Sequence, residues 1–176
     1  VDYVITWLEM TERPRRPVPS LPAGQHAALL AAKSPPVGYF LYLYRAVGAS
    51  YEWTDWLMRP VEQAEAFIGD PQVGLHTMLL DGWPGGFFIL DSRRPGTVDL
   101  SYFGLVPQAI GRGLGHWLLG AAVDTAWQIP GVTRLTVNTN TLDHPRALGL
   151  YQKLGFRPIR RESHRRQLTR ERTEAD

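Results

Sequence analysis

Three glycines at alternate positions, Gly111, Gly113 and Gly115, lead into a strongly helical segment, LLGAAVDTAW. The N-terminus of a helix exposes unpaired backbone N–H groups and carries partial positive charge. Glycines let a phosphate approach those groups closely, and Arg112 within the turn adds a cationic donor. The turn is therefore a candidate site for a pyrophosphate group, and the alternative is an ordinary structural loop.

Two common phosphate-binding motifs do not fit this turn. A P-loop needs Lys and then Ser or Thr after its last glycine, whereas Gly115 is followed by His116 and Trp117. The dinucleotide fingerprint would place its third glycine at position 116, so Gly115 is out of register. The next strand candidate also ends in Thr139 and Asn140 instead of an acid that could bind a ribose. The glycines alone therefore leave the ligand open.

Two segments, in sequence order, resemble the GNAT-type N-acetyltransferase superfamily. The first, YFGLVPQAIGRGLGHWLL, is similar to the family's strand, its Q/R-x-x-G-x-G/A turn and the helix that follows. The second, HPRALGLYQKLGF, is similar to the form N-x-x-A-x-x-L-Y-x-x-x-G-F. The resemblance covers residues 98–156, about a third of the chain. It implies the acyl-CoA N-acyltransferase fold.

Two positions depart from the family pattern. Aligned on Gly113 and Gly115, the turn has Ile110 where the family has Arg or Gln, a position used mainly for its backbone N–H. An alternative register uses Gln108, Gly111 and Gly113, but the first register leaves Gly115 at the helix start. The family's Asn is replaced by His144, which can donate a hydrogen bond or cap the helix.

The resemblance implies transfer of an acetyl group from acetyl-CoA to a primary amine by direct attack, without a metal. The pantetheine arm would pair with the strand before the turn, and the pyrophosphate would lie on the backbone N–H groups of the turn. A backbone N–H near Leu105 would stabilise the oxyanion. The cofactor-binding residues are then Phe103, Gly104, Leu105, Val106, Ile110, Gly111, Arg112, Gly113, Leu114, Gly115, His116, His144, Ala147 and Tyr151.

Tyr151 matches the family's general acid, which would protonate the departing thiolate. It also lies with Ala147, Leu150 and Leu154 on one apolar stripe of a helix, which is typical of a core residue. The two interpretations are compatible, because the ring can pack while the hydroxyl faces the thioester. His116 is assigned to the helix surface in preference to a catalytic role.

The amine must be neutral to attack, which requires a base or a desolvating pocket. Asp99 is the candidate base, since related enzymes often carry an acid on this strand; the alternative is a surface Asp. Strand alternation predicts Asp99, Ser101 and Phe103 on one face, with Leu100 and Tyr102 on the other. Weaker candidates for the base are Glu52, Asp55 and His76.

Seven aromatic residues fall within positions 39–56. In the family, the first helices and their loop cover the acceptor site, so this segment is the candidate substrate wall. Its side chains can hold a cation or stack on a ring, and the alternative is ordinary packing under the sheet. The candidate substrate-binding residues are Tyr42, Tyr51, Trp53 and Trp56.

The elements that position these residues follow from periodicity and turn signals. Along the chain, the predicted order is a strand, two or more helices, three strands of a meander, a helix, a strand, a helix and a last strand. This order predicts an α+β or mixed α/β domain. With the resemblance, we expect a central, mostly antiparallel sheet of six to seven strands flanked by helices. A single domain is expected over residues 1–176, with a proline-rich extended connection at 11–24 and a basic tail at 163–176.

Composition limits the function further. The 176 residues contain no cysteine, which excludes thiolate metal sites and a cysteine nucleophile, and no apolar run approaches a membrane span. We expect a cytoplasmic protein that binds neither membrane nor nucleic acid, although residues 157–176 carry seven Arg against four acids. A homodimer is plausible because many relatives pair. The alternative function is a non-catalytic acyl-CoA-binding or regulatory module on the same fold.

Overall fold

The computed structural model describes residues 1–169, and within them seven strands form a single sheet in the order β2-β3-β4-β5-β6-β1-β7. Strands β5 and β6 run parallel, and the other neighbours within these residues are antiparallel. The predicted mixed, mostly antiparallel sheet is confirmed. The strands are β1 (Asp2–Met10), β2 (Ala27–Ala31), β3 (Val73–Leu80), β4 (Trp83–Asp91), β5 (Thr97–Leu105), β6 (Arg134–Asn140) and β7 (Arg157–Arg165).

Helices cover both faces of the sheet. A side chain at Gly104 of β5 would collide with Val47, whereas the next residue, Leu105, approaches Gly115. Successive strand residues point to opposite faces, so the helices that carry Val47 and Gly115 lie on opposite sides. None of the helices in residues 1–169 is long and apolar enough to cross a bilayer. The helices are α1 (Val37–Gly48), α2 (Asp55–Met58), α3 (Val61–Gly69), α4 (Leu114–Trp127) and α5 (Ala147–Leu154), with short 3₁₀ turns at Ala49–Tyr51 and Pro107–Ala109.

Strand β2 is an element that the sequence did not indicate. Its composition, AALLA, favours a helix by propensity. It pairs with β3, from Ala27 opposite Leu80 to Ala31 opposite His76, and forms one edge of the sheet. Backbone pairing to an available sheet edge therefore overrides the local preference. The preceding segment, residues 11–24, contains neither helix nor strand.

The first and last strands pair with each other. Strand β1 lies between β6 and β7 and is antiparallel to both. Strand β7 extends to Arg165, so the predicted basic tail at 163–176 begins inside this strand. Residues 170–176 of that segment lie outside the described part of the chain. Arg160 of β7 stacks over the Trp7 ring of β1, 3.9 Å from its centroid.

A bulge in β5 changes which side chains share a face. Ile89 pairs with Tyr102 and Leu90 with Leu100, which leaves Ser101 as the extra residue. The predicted alternation is therefore wrong beyond Leu100. The ring of Tyr102 packs in an aromatic cluster beneath α1, while Phe103 points to the other face of the sheet. The rings in contact with Tyr102 belong to Phe40, Tyr44, Trp53 and Phe67.

The parallel pair β5 and β6 separates after a short stretch. Pairing runs from Thr97 opposite Arg134 to Asp99 opposite Thr136. Within the described residues, positions 100–105 of β5 pair with β4 alone. The other edge of this half-strand therefore carries backbone N–H and C=O groups available to a ligand.

Candidate active site

A cavity of about 560 Å³ occupies the gap where β5 and β6 separate. We call it the strand-gap cavity. Side chains and backbone from β5, the turn before α4, α5 and the loop after α1 line it together. Most of the residues predicted from sequence converge here: Tyr51, Trp53, Phe103, Gly104, Leu105, Ile110, Gly111, Gly113, Gly115, His116, His144, Ala147 and Tyr151.

The glycine turn has the conformation that its composition favours. Gly111 (φ 82°) and Gly113 (φ 75°) are left-handed, which costs other residues about 1–2 kcal/mol. Gly113 caps α4, so Gly115 is the second residue of the helix, in agreement with the preferred register. The first turn of a helix has no intrahelical acceptors for its N–H groups, and within this turn Gly115 and His116 line the cavity. The N–H of Ile110 differs, because it donates to the carbonyl of Pro107 at 3.2 Å.

Arg112 does not face the strand-gap cavity. Its guanidinium donates to Gln25 Oε1 at 2.9 Å and to Asp81 Oδ2 at 3.4 Å, which attaches the turn to the β3–β4 hairpin. The expected role of Arg112 as a cationic donor to pyrophosphate stays a prediction, and in this structure its guanidinium anchors the turn. Val106 and Leu114 are also outside the cavity, because both side chains are buried in the core.

The open edge of β5 faces the cavity with a defined set of backbone groups. The N–H of Val106 donates to the carbonyl of Gly85 at 3.0 Å, so it points toward β4. Successive N–H groups of a strand point in opposite directions. Those of Leu105 and Phe103 therefore point away from β4, toward the cavity. This orientation suits the predicted oxyanion donor at Leu105.

Tyr151 both packs and lines the cavity. Only 5% of the residue is exposed, and its ring centroid lies 6.1 Å from Phe103 and 5.9 Å from Phe156. Burial, followed by the charges of Asp143 and Asp99, raises the pKa of Tyr151 above its ordinary value. The phenol is therefore protonated at neutral pH, as a proton donor must be.

Asp99 is connected to the cavity through Ser101. The Asp99 carboxylate accepts hydrogen bonds from Thr136 Oγ1 at 2.6 Å and from Ser101 Oγ at 2.7 Å. Burial raises the pKa of Asp99, while these two hydrogen bonds oppose the increase. Asp99 itself does not line the cavity, but Ser101 does. Ser101 lies at the bulge, and no role in the site was assigned to it from the sequence.

The aromatic segment divides between the cavity and the core. Tyr51 and Trp53 line the cavity, whereas Tyr42 is 54% exposed on α1 and does not. Trp56 is also outside the cavity. Its ring stacks on Phe67 at 5.0 Å, and its Nε1 donates to Tyr102 Oη at 2.6 Å. Two of the four predicted substrate contacts therefore do not line this cavity: Trp56 is packed beneath α1, and Tyr42 is exposed on α1.

None of the weaker base candidates lines the strand-gap cavity. The Glu52 carboxylate is buried and accepts hydrogen bonds from the backbone N–H and the hydroxyl of Thr169, both at 3.0 Å. His76 stacks on Phe88 with a centroid distance of 4.6 Å, and burial lowers its pKa. Asp55 is the first residue of α2.

Residues of the loop between β6 and α5 complete the cavity. Asp143 accepts hydrogen bonds from Trp53 Nε1 at 3.2 Å, Thr139 Oγ1 at 2.8 Å and the backbone N–H of Asn140 at 2.9 Å. It thereby fixes the indole that forms one wall. An Asp within a turn is common, so the sequence contained no specific signal for this contact.

His144 lies in the same loop, and its side chain hydrogen-bonds to the backbone just before α5. Its Nδ1 accepts the backbone N–H of Arg146 at 3.2 Å, and α5 begins at Ala147. Burial, followed by the charge of Arg146, lowers the pKa of His144. The imidazole is therefore neutral near pH 7 and can act as a hydrogen-bond acceptor at this position.

Comparison with known proteins identifies related folds. Residues 35–156 match the family model described as the acetyltransferase (GNAT) family. No protein of curated function matches the chain. A solved GCN5-related N-acetyltransferase from Kribbella flavida is 21% identical over 88% of this chain and 54% of its own, with a TM-score of 0.60. A tandem GNAT protein from the clavulanic acid biosynthesis pathway is 16% identical over 90% of this chain and 51% of its own, with a TM-score of 0.62.

A third solved structure is an aminoglycoside acetyltransferase from an uncultured soil metagenomic sample in complex with sisomicin. It is 13% identical over 73% of this chain and 87% of its own, with a TM-score of 0.59. The present chain spans about half the length of the first two proteins. These likenesses confirm the predicted fold class, a mixed sheet flanked by helices.

Proposed function

The chain belongs to the acetyltransferase (GNAT) family, and we propose that it transfers an acetyl group from acetyl-CoA to a primary amine by direct attack. The observation that carries the proposal is the open edge of β5 beside the glycine turn. An unpaired strand edge can hold an extended amide-containing arm, and a helix N-terminus can hold pyrophosphate. Pantetheine pyrophosphate combines these two groups in that order.

Residues around the position of the thioester would stabilise the oxyanion and protonate the thiolate that form during the reaction. The N–H of Leu105 donates to the carbonyl oxygen as the amine nitrogen forms its bond to carbon. The C–S bond then breaks, and the Tyr151 hydroxyl gives its proton to the departing sulfur. Burial keeps that proton on the phenol until the thiolate forms, because it raises the pKa of Tyr151.

Proton removal from the amine is assigned to Asp99 acting through Ser101. The Ser101 oxygen accepts the amine proton as its own proton moves to Asp99 Oδ2, 2.7 Å away. The raised pKa of Asp99, caused mainly by burial, makes the carboxylate a better proton acceptor than an exposed Asp. Ser101 lines the cavity, so the relay brings a buried carboxylate into contact with the substrate site.

The part of the strand-gap cavity lined by Tyr51, Trp53 and Asp143 is where we place the acceptor, and it favours an amine that is cationic in solution. Tyr51 and Trp53 provide aromatic surface, and Asp143 provides negative charge beside Trp53. The structural relative solved with sisomicin is an aminoglycoside acetyltransferase, which supports a polar amine as the class of acceptor. We propose a small molecule or an exposed protein amine with this character.

A double-mutant cycle tests the relay. We expect Asp99→Asn and Ser101→Ala each to lower kcat/KM by about 100-fold, the lower end of the usual contribution of a general base. The double variant should be no slower than the slower single variant, because both residues act in one proton path. The measurement is thiol release from acetyl-CoA with a panel of aminoglycosides, polyamines and peptides.

Thr133→Ala is the matched control for the loss of a hydroxyl, since this residue bonds to Gly96 away from the cavity. It should retain the kcat/KM of the unmodified protein. Multiplicative losses in the double variant would show that Asp99 and Ser101 act independently, and the relay would then be wrong.

A further inference from the structure

Residues 166–169, which follow β7, contact the loop between α1 and α2. We call them the C-terminal brace. Thr169 donates its backbone N–H and its hydroxyl to Glu52 Oε2, both at 3.0 Å. Arg166 Nη2 donates to Thr54 Oγ1, also at 3.0 Å. None of the four brace residues lines the strand-gap cavity, so any effect of the brace on a ligand there passes through the loop.

The brace is itself attached to the sheet. Strand β7 ends at Arg165, and the backbone N–H of Arg166 donates to the carbonyl of Val1 at 3.0 Å. This hydrogen bond extends the pairing of β7 with β1 beyond the end of the strand. The brace therefore connects the loop after α1 to the edge of the sheet that β1 and β7 form.

Glu52, the loop residue that Thr169 contacts, has an unusual backbone conformation. Its φ is 62°, in the left-handed region that few non-glycine residues adopt, and the residue is 3% exposed. A conformation of this kind persists where the surrounding contacts fix it. The neighbours on both sides, Tyr51 and Trp53, line the strand-gap cavity, whereas Glu52 does not. The conformation of Glu52 therefore helps to determine how both neighbours are presented to the cavity.

The two neighbours form the wall where we place the acceptor amine. Trp53 Nε1 donates to Asp143 Oδ1 at 3.2 Å, and the Tyr51 ring centroid lies 6.2 Å from that of His144. Both contacts cross from the loop to the segment between β6 and α5. A displacement of Glu52 would therefore change both contacts together. A loop that is fixed before binding loses less conformational entropy when the ligand binds, so the affinity for the ligand is higher.

We propose that the C-terminal brace holds the wall of Tyr51 and Trp53 in its binding conformation and thereby sets the affinity for the amine, with Glu52 as the positioning residue. The inference rests on the proposed function, because that function places the amine at this wall. Acetyl-CoA is assigned to other elements, the glycine turn and the open edge of β5. Its affinity should therefore not depend on the brace.

The double variant R166A/T169A tests the proposal, because it removes the side-chain donors of the brace from the full chain. We expect it to raise the KM for the best amine of the panel by about 10-fold, the effect of losing one hydrogen bond. The KM for acetyl-CoA and kcat should stay within about twofold, because the lost contacts act on amine binding alone.

Amide hydrogen exchange of the unliganded protein reports on the wall without any substrate. In R166A/T169A, exchange in residues 49–56 should speed up by about 10-fold, whereas exchange in α4 should stay as in the unmodified protein. The conservative variant T169S keeps the hydroxyl donor and should retain the amine KM. The control R94A/T133A removes one Arg and one Thr from exposed positions outside the strand-gap cavity, and it should change neither measurement.

The outcomes separate this inference from the function on which it rests. An unchanged amine KM in R166A/T169A, or unchanged exchange in residues 49–56, would overturn the proposal. An equal rise in the KM values for the amine and for acetyl-CoA would also overturn it, because the brace would then support the fold as a whole. Failure of the unmodified protein to acetylate any amine would overturn the proposed function and the link to amine affinity, while exchange in residues 49–56 would still decide whether the brace holds the wall.

Discussion

Tyr151→Phe is expected to lower kcat for acetyl transfer by about 100-fold or more, the usual contribution of a general acid. The phenyl ring retains its contacts with Phe103 and Phe156, so acetyl-CoA affinity and thermal stability should stay unchanged. Only the proton donor for the departing thiolate is removed. Stopped assays of thiol release, together with calorimetry of acetyl-CoA binding, separate the two effects.

Tyr39→Phe is the matched control for this substitution. The Tyr39 hydroxyl contacts Thr77 Oγ1 at 2.8 Å and lies outside the strand-gap cavity. Its loss should cost about 1 kcal/mol of stability and leave kcat as it is. Unchanged turnover in Tyr151→Phe would show that Tyr151 is a packing residue. Tight acetyl-CoA binding without turnover in the unmodified protein, for every amine in the panel, would favour the non-catalytic acyl-CoA-binding module.

Gly115→Asp is expected to weaken acetyl-CoA binding by at least about 100-fold. A carboxylate about 4 Å from a phosphate charge costs about 4 kcal/mol near a protein surface, and every 1.4 kcal/mol is a factor of ten. A methyl group at this position meets only Leu150 and Leu105, at 3.7 and 3.8 Å, so a Cβ atom is accommodated without a clash. Calorimetry with acetyl-CoA at fixed ionic strength measures the loss.

The same substitution should preserve or raise stability, which distinguishes lost binding from lost folding. An acidic residue in the first turn stabilises a helix by about 0.3–1 kcal/mol through the helix dipole. Gly115→Ala provides the steric control and should bind acetyl-CoA within a few-fold of the unmodified protein. Normal affinity in Gly115→Asp would place the pyrophosphate away from this helix N-terminus.

The elements with strong local signals could be predicted from the sequence. Glycine at the left-handed cap, Gly113, and apolar periodicity in α5 each reflect local physics, so the turn and Tyr151 converge on one cavity as expected. The resemblance supplied the strand that lies beside them. Local chemistry therefore indicated a candidate pyrophosphate site at the turn, and the resemblance assigned this site to the cofactor.

Features that depend on pairing between distant segments could not be predicted from local sequence signals. The bulge at Ser101 depends on the register between β4 and β5, and it reverses the predicted faces of Tyr102 and Phe103. The Arg112 guanidinium donates hydrogen bonds to Gln25 and Asp81, which are remote from it in sequence. Strand β2 forms because β3 has a free edge, against the propensity of its own residues.

The measurement that tests the central claim most directly is calorimetry of the unmodified protein with acetyl-CoA, with NAD and ATP as controls. We predict one site of micromolar affinity for acetyl-CoA, about −8 kcal/mol, and no comparable binding of NAD or ATP. The turn at Gly113 and the open edge of β5 would then be supported as the pyrophosphate and pantetheine sites. Absence of acetyl-CoA binding, or equal binding of all three nucleotides, would contradict the account.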